Sequence, residues 1–170
     1  MALQMRSIAV LVIVLAFYAH ADKTLYRVSV HPCFGNDMTA IVLEVRVSDC
    51  QTLPCQLTRG SQVTVEFDFI PATNIKSDIT TGAAVTIGDI SLPDLESKES
   101  LACPSITNKQ SGLAVGCKLN AKEVYTYSKT TSISDKYPVA ENVNIQWELY
   151  DDDDKTIVCL NVPAKFVRSK

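Results

Sequence analysis

Histidine is nearly missing from this chain. Only His20 and His31 occur in 170 residues, with one tryptophan, Trp147, and six glycines. Nucleophilic catalysis usually needs a base beside its nucleophile. His31 sits between Val30 and Pro32, next to Cys33, and reads as an exposed loop residue. There is no G-x-S-x-G elbow, no phosphate-binding glycine loop and no dinucleotide fingerprint. An enzyme is therefore not expected. An excess of basic residues is missing too: the formal net charge is −3, which speaks against nucleic acid as a partner. No N-x-[ST] sequon occurs, and no amphipathic helix of ordinary length can be traced.

What is present begins with a leader. Arg6 supplies a positive start, Ile8 to Phe17 is a short apolar run, and Ala19-His20-Ala21 has the form of a cleavage site. Residues 1–21 are read as a signal peptide and 22–170 as a single domain. Its roughly 150 residues suit one core. No later stretch is long and apolar enough to suggest a membrane helix. Loss of Arg6 makes the charge one unit more negative.

All six cysteines lie beyond the leader: Cys33, Cys50, Cys55, Cys103, Cys117 and Cys159. An even number behind a signal peptide argues for three disulfides, for which sequence alone allows many pairings. The short separations suggest Cys50–Cys55 and Cys103–Cys117, which leaves Cys33–Cys159 to join the two ends of the domain. A zinc site is the rival reading, but C-x-x-C pairs are missing and only His31 could add a nitrogen. No metal or other cofactor is expected.

Ser48 to Phe69 organises the rest. Cys50 and Cys55 close a turn at Pro54, and the chain then alternates. Val63, Val65, Phe67 and Phe69 point one way; Thr64, Glu66 and Asp68 point the other. That period of two marks a half-buried strand. Similar runs occur at Leu25–Val30, at Thr39–Val47 (Ile41, Leu43, Val45 and Val47 on one side) and at Val124–Lys129. Val143–Leu149 places Val143, Ile145, Trp147 and Leu149 on one face. Thr156–Val167 does the same with Val158, Leu160, Val162, Ala164 and Phe166. Ile75–Ile90 reads as one or two strands with an irregularity at Gly82. Ser91–Ser100 reads as a loop, Cys103–Cys117 as an exposed excursion, and Asp151 to Lys155 as a solvated turn, lacking the spaced ligands of a calcium loop. Short strands separated by turns predict an all-β sandwich or barrel.

Two sheets of this size must fill the space between them. The inward candidates are Val63, Val65, Phe67, Ile87, Val143 and Ile145, with Trp147, Val162 and Phe166. Packed to ordinary density they are core; if the sheets splay, they line an apolar cavity.

Several pieces, in order, resemble the ML (MD-2-related lipid-recognition) superfamily, closest to its Niemann–Pick C type 2 sterol-carrier branch. They are Cys33, S-D-C-Q-T-L-P-C-Q-L-T-R-G (Ser48–Gly60), the Cys103 and Cys117 pair, Y-T-Y-S (Tyr125–Ser128), K-Y-P (Lys136–Pro138), Q-W-E-L (Gln146–Leu149) and D-D-K-T-I-V-C (Asp153–Cys159). The resemblance implies an immunoglobulin-like sandwich of two antiparallel sheets, the disulfide pairing given above, and a lipid tunnel between the sheets without catalysis. It implies a tunnel mouth at Ile133 and Tyr137, with Leu92 nearest the position of a phenylalanine in the sterol carriers. Leu160 stands where those carriers have tryptophan, and the Cys103–Cys117 loop is longer. These departures reshape the mouth and bring fatty acids and other lipophilic signals into the ligand set beside sterols. Arg59 and Lys136 are candidates to meet an anionic head group. The expected protein is a secreted, extracellular, monomeric lipid carrier with transient membrane or receptor contact, the endolysosome being the alternative location. The other reading is a secreted innate-immune or interaction protein that recognises a microbial lipid or a protein by its surface.

Overall fold

The computed structural model describes residues 23–33, 35 and 37–169, with backbone only at 94 and 96–99. The expected signal peptide lies outside the described residues. The period-two segments form strands: β1 Leu25–Val28, β2 His31–Pro32, β3 Ala40–Ser48, β4 Cys55–Thr58, β5 Gln62–Pro71, β6 Thr80–Ile87, β7 Ile90–Leu101, β8 Ile106–Asn108, β9 Tyr125–Ser132, β10 Ala140–Tyr150 and β11 Thr156–Val167. They build two sheets, ordered β1-β3-β5-β9-β8 and β2-β11-β10-β6-β7, with β4 also paired to β11. This is an immunoglobulin-like sandwich. Its pairings are antiparallel except β4 on β11, which runs parallel from Ala164↔Cys55 to Val167↔Thr58. The three disulfides are Cys33–Cys159, Cys50–Cys55 and Cys103–Cys117.

The inner strands bear out the alternation. Val63, Val65, Phe67 and Phe69 of β5 are buried, as are Val143, Ile145, Trp147 and Leu149 of β10 and Val158 to Phe166 on the inward face of β11. Phe67 stacks on Tyr127 at 5.0 Å between ring centroids, and Tyr127 reaches Trp147 of the other sheet at 6.4 Å. Burying these large rings contributes, with the aliphatic core around them, to holding the sheets face to face.

Four expectations need correction. Ile41 and Leu43 do not share the inward face of Val45 and Val47; they are 64% and 54% exposed. The register of β3 against β5 shifts between Val42 and Glu44. One extra residue reverses the facing of the strand before it, so Ala40 and Val42 turn inward instead. Ser91–Ser100 is not a loop but most of β7. An edge strand tolerates proline and polar residues, and Pro93 falls where the β6–β7 register shifts between Ala83 and Val85. The Cys103–Cys117 excursion is only partly exposed. It opens with a short 3₁₀ turn, Cys103–Ser105, and contributes β8, whose Ile106 is fully buried. The Cys50–Cys55 loop, finally, carries the chain across to the second sheet as β4 before β5 returns to the first.

Asp68 points outward as the alternation requires, yet it is only 5% exposed. Arg46 covers it from the neighbouring strand, with Nη2 and Nη1 2.9 and 3.0 Å from its carboxylate. Arg46 also donates to Glu66 at 2.7 Å and to Glu44 at 2.5 Å. Burial pushes the Asp68 carboxyl up, but the bonds from Arg46, Thr126 and Lys109 outweigh it and bring the pKa down to about 2. The Arg46 guanidinium is held more firmly protonated, chiefly by its bonds to Asp68.

Candidate functional site

Between the sheets lies a closed apolar void. Val47 of β3 and Val63 and Val65 of β5 form one wall. Ile145 and Trp147 of β10 and Val162 of β11 form the other, and Cys55, Leu57 and Leu95 complete the lining. The empty space among them is about 270 Å³, but it is narrow: the room for a water molecule within it is only about 10 Å³. A dry void of this kind is an apolar gap between packed side chains. Trp147 lines it and is fully buried, and its indole Nε1 finds no acceptor among the described residues. Leaving such a donor unpaired costs about 1–3 kcal/mol.

The predicted site residues divide in two. Val63, Val65, Ile145, Trp147 and Val162 come together around the void. Phe67 lies in the aromatic stack on Tyr127, and Val143 is buried in the same sheet as Ile145. The remainder belong to one end of the sandwich. Ile133 and Tyr137 are 1% and 4% exposed, and the Tyr137 ring stacks on Phe166 at 5.0 Å. Ile87 and Leu92 are half-buried at the β6–β7 hairpin and pack against the core. Val47, Leu57 and Leu95 were not among the predicted site residues. Leu57 and Leu95 sit in segments without an alternating pattern, and Val47 is legible in sequence only as core.

That end is closed by β7. The Tyr137 hydroxyl donates to the Pro93 carbonyl, and the Thr131 hydroxyl donates to the Leu95 carbonyl at 3.0 Å. β7 belongs to the second sheet and Thr131 to the first, so these bonds span the gap. The loop after β9 is held in turn by the Arg59–Gly60–Ser61 turn. Gly60 N donates to Ile133 O, and Ile133 N donates to Ser61 O, both at 2.8 Å. Arg59 is half-buried: Nη1 donates to the Tyr137 carbonyl at 2.7 Å, and Nε is buried without a partner among the described residues. Lys136 is exposed.

Gly60 holds its turn at φ +76°, and a Cβ there would meet only Asp135 Cβ at 3.9 Å. The obstacle to a side chain is therefore the left-handed backbone, worth about 1–2 kcal/mol for an L-residue. Gly60→Ala is expected to lower unfolding free energy by that amount in urea denaturation. Gly60→Asn should lose less, because asparagine visits this region more readily.

The ML-domain family profile matches residues 27–166. The NPC intracellular cholesterol transporter 2 of Bos taurus is 28% identical over 125 residues, covering 74% of this chain and 76% of its own length. The NPC intracellular cholesterol transporter 2 homolog a of Drosophila melanogaster is 31% identical over 123 residues, covering 71% of this chain and 76% of that protein. Among solved structures, a Niemann-Pick type C2 protein from Japanese carpenter ant has the same fold, with a TM-score of 0.65 at 21% identity, covering 82% of this chain and 100% of that one.

Proposed function

The chain belongs to the ML-domain family, and on that premise we propose that it carries a sterol, a fatty acid or a similar lipophilic molecule between its two sheets. The observation that carries this reading is the closed apolar void with the unpartnered Trp147 indole at its wall. An apolar ligand there gains from burial at roughly 25 cal/mol per Å². A ligand oxygen within reach of Nε1 would supply the missing acceptor. With room for only about 10 Å³ of water, the void is far below the usual ligand pocket of about 300–1,000 Å³, so uptake requires the sheets to part. Parting at the end held by Tyr137 and Thr131 would break their bonds to Pro93 and Leu95. The named cholesterol transporters among the relatives support the sterol half of the proposal. The stretch 1–21, read from sequence as a leader, and the three disulfides support secretion, since disulfides persist in oxidising compartments.

Native mass spectrometry of the protein from its own source, followed by organic extraction, tests the reading. A copurifying sterol or fatty acid is the expected result. An apo mass that takes up neither class at micromolar concentration would sink the carrier reading and return the chain to surface recognition.

Tyr137→Phe gives a sharper test of the closed end. It keeps the ring on Phe166 and removes the bond to Pro93. Stability should fall by about 1 kcal/mol, while ligand uptake measured by stopped-flow fluorescence should speed up severalfold. Unchanged uptake would mean that this end is not the way in.

A further inference from the structure

A groove of about 550 Å³ opens along the side of the sandwich, where the edge of the first sheet meets the edge of the second. It is far roomier than the inner void and falls within the size range of ligand pockets. Val28 and Val30 border it from β1, Pro32 from β2, Met38 from the approach to β3, and Leu160 from β11. Between the lining residues Met38 and Ala40, Thr39 N donates to Thr156 O at 3.1 Å and ties the approach to β3 to β11 of the other sheet.

The position of this groove relative to the void matters most. Val45 and Leu160 line the groove, while Val47 and Val162 line the void. On β3 and on β11, these are successive inward residues of one strand face. Two residues along a strand span about 7 Å. The groove therefore begins between the same two strands, one pair of side chains beyond the void, and continues around the edge of β3 past Val45, where the pairing with β1 stops, to the outward residues of that strand. Val45 and Leu160 are the residues at that boundary, and both are buried.

The groove also explains an exposure that the core does not. The shift of register in β3 leaves Ile41 and Leu43 outward, and both line the groove. Large aliphatic side chains gathered on one concave surface mark a contact site more than a solvated face does. The charged residues of the lining are Arg27 and Glu44, which pair with each other. Glu44 is bound to Arg46 as well. The rim therefore suits the hydrocarbon end of a ligand and not an ionic head.

We infer that the void and the groove form one elongated site, and that its ligand is a flexible acyl-chain lipid whose tail passes between Val45 and Leu160 to lie against Ile41 and Leu43. This rests on the carrier reading above and deepens it. A chain of methylenes can thread a gap opened by the rotation of one leucine. A rigid fused-ring sterol cannot bend through it and is confined to the inner compartment.

Isothermal titration with decanoate, stearate and cholesterol tests the inference, using the wild-type protein and an Ile41→Asp/Leu43→Asp variant whose changes fall on exposed positions. The wild type is expected to bind stearate much more tightly than decanoate, by up to about fourfold for each added methylene that reaches the groove. The variant should lose at least tenfold in stearate affinity and keep its decanoate affinity, with a melting temperature close to wild type. Stearate affinity untouched in the variant, or decanoate affinity lost equally, would overturn the inference. Cholesterol binding without fatty-acid binding would also overturn it and leave the carrier reading standing. Failure of all three ligands with the wild type would remove both.

Discussion

Replacing Cys33 and Cys159 together with alanine is expected to cost about 5 kcal/mol of unfolding free energy. The bond closes a loop with a sequence separation of 126, and chain-entropy theory ties the stabilisation to the logarithm of that length. A domain of this size has a total stability of about 5–15 kcal/mol, so the variant should be at the edge of folding at 37 °C. The Cys50–Cys55 loop, with a separation of only 5, should contribute about 2 kcal/mol by the same relation. Urea denaturation of the two double variants, read by Trp147 fluorescence, makes the comparison. The long closure also anchors folded structure, since Cys33 N donates to Cys159 O at 3.3 Å beside the β2–β11 pairing. If the two variants lose equal stability, the tie between the ends of the domain is not the dominant staple.

Replacing Arg46 with alanine should be nearly as costly, about 3–5 kcal/mol near neutral pH. Three carboxylates, from Glu44, Glu66 and Asp68, share this one guanidinium. Lys109 lies 3.1 Å from Asp68 but is half exposed, so it cannot take over the role. Without Arg46 the three acids repel one another beside a nearly buried Asp68. The pH dependence has a definite sign. The Asp68 pKa is depressed to about 2 in the folded protein against an ordinary value of 3.8. Its contribution is therefore complete above pH 3.8 and disappears as the pH falls from there through 2. The gap between wild type and Arg46→Ala should be widest at neutral pH and narrow on acidification, as the variant's acids take up protons. Denaturation series at pH 7 and pH 3.5 measure both values. A gap that stays constant with pH would show that the loss comes from packing of the arginine stem and not from its charge.

Much of the site is legible in the order of residues alone. The period-two runs place Val63, Val65, Ile145, Trp147 and Val162 facing inward, and all five meet at the void. Local chemistry suffices there because β5 and β10 are central strands without bulges at those residues. Where the signal fails, the reason is also specific. A single shift of register in β3 sends Ile41 and Leu43 to the outside, and nothing in an alternating string announces such a shift. β7 carries polar residues and Pro93 because it is an edge strand, and those same residues write the pattern of a loop. Arg59 looks like any surface cation in sequence, yet it reaches the Tyr137 carbonyl across 78 residues of chain.

The sequence by itself determined the all-β class and the apolar faces that must meet, and it pointed to the two local disulfides, because each depends on residue type and short spacing; Cys33–Cys159 followed only as the pair left over. Only the tertiary structure decided how far apart those faces stand. It closed the space between them to a narrow void, latched one end through Tyr137 and Thr131, and opened a groove beside Val45 and Leu160. The width of a gap between two sheets depends on how side chains distant in the chain interlock, and on where one bulge falls, and no local pattern encodes either.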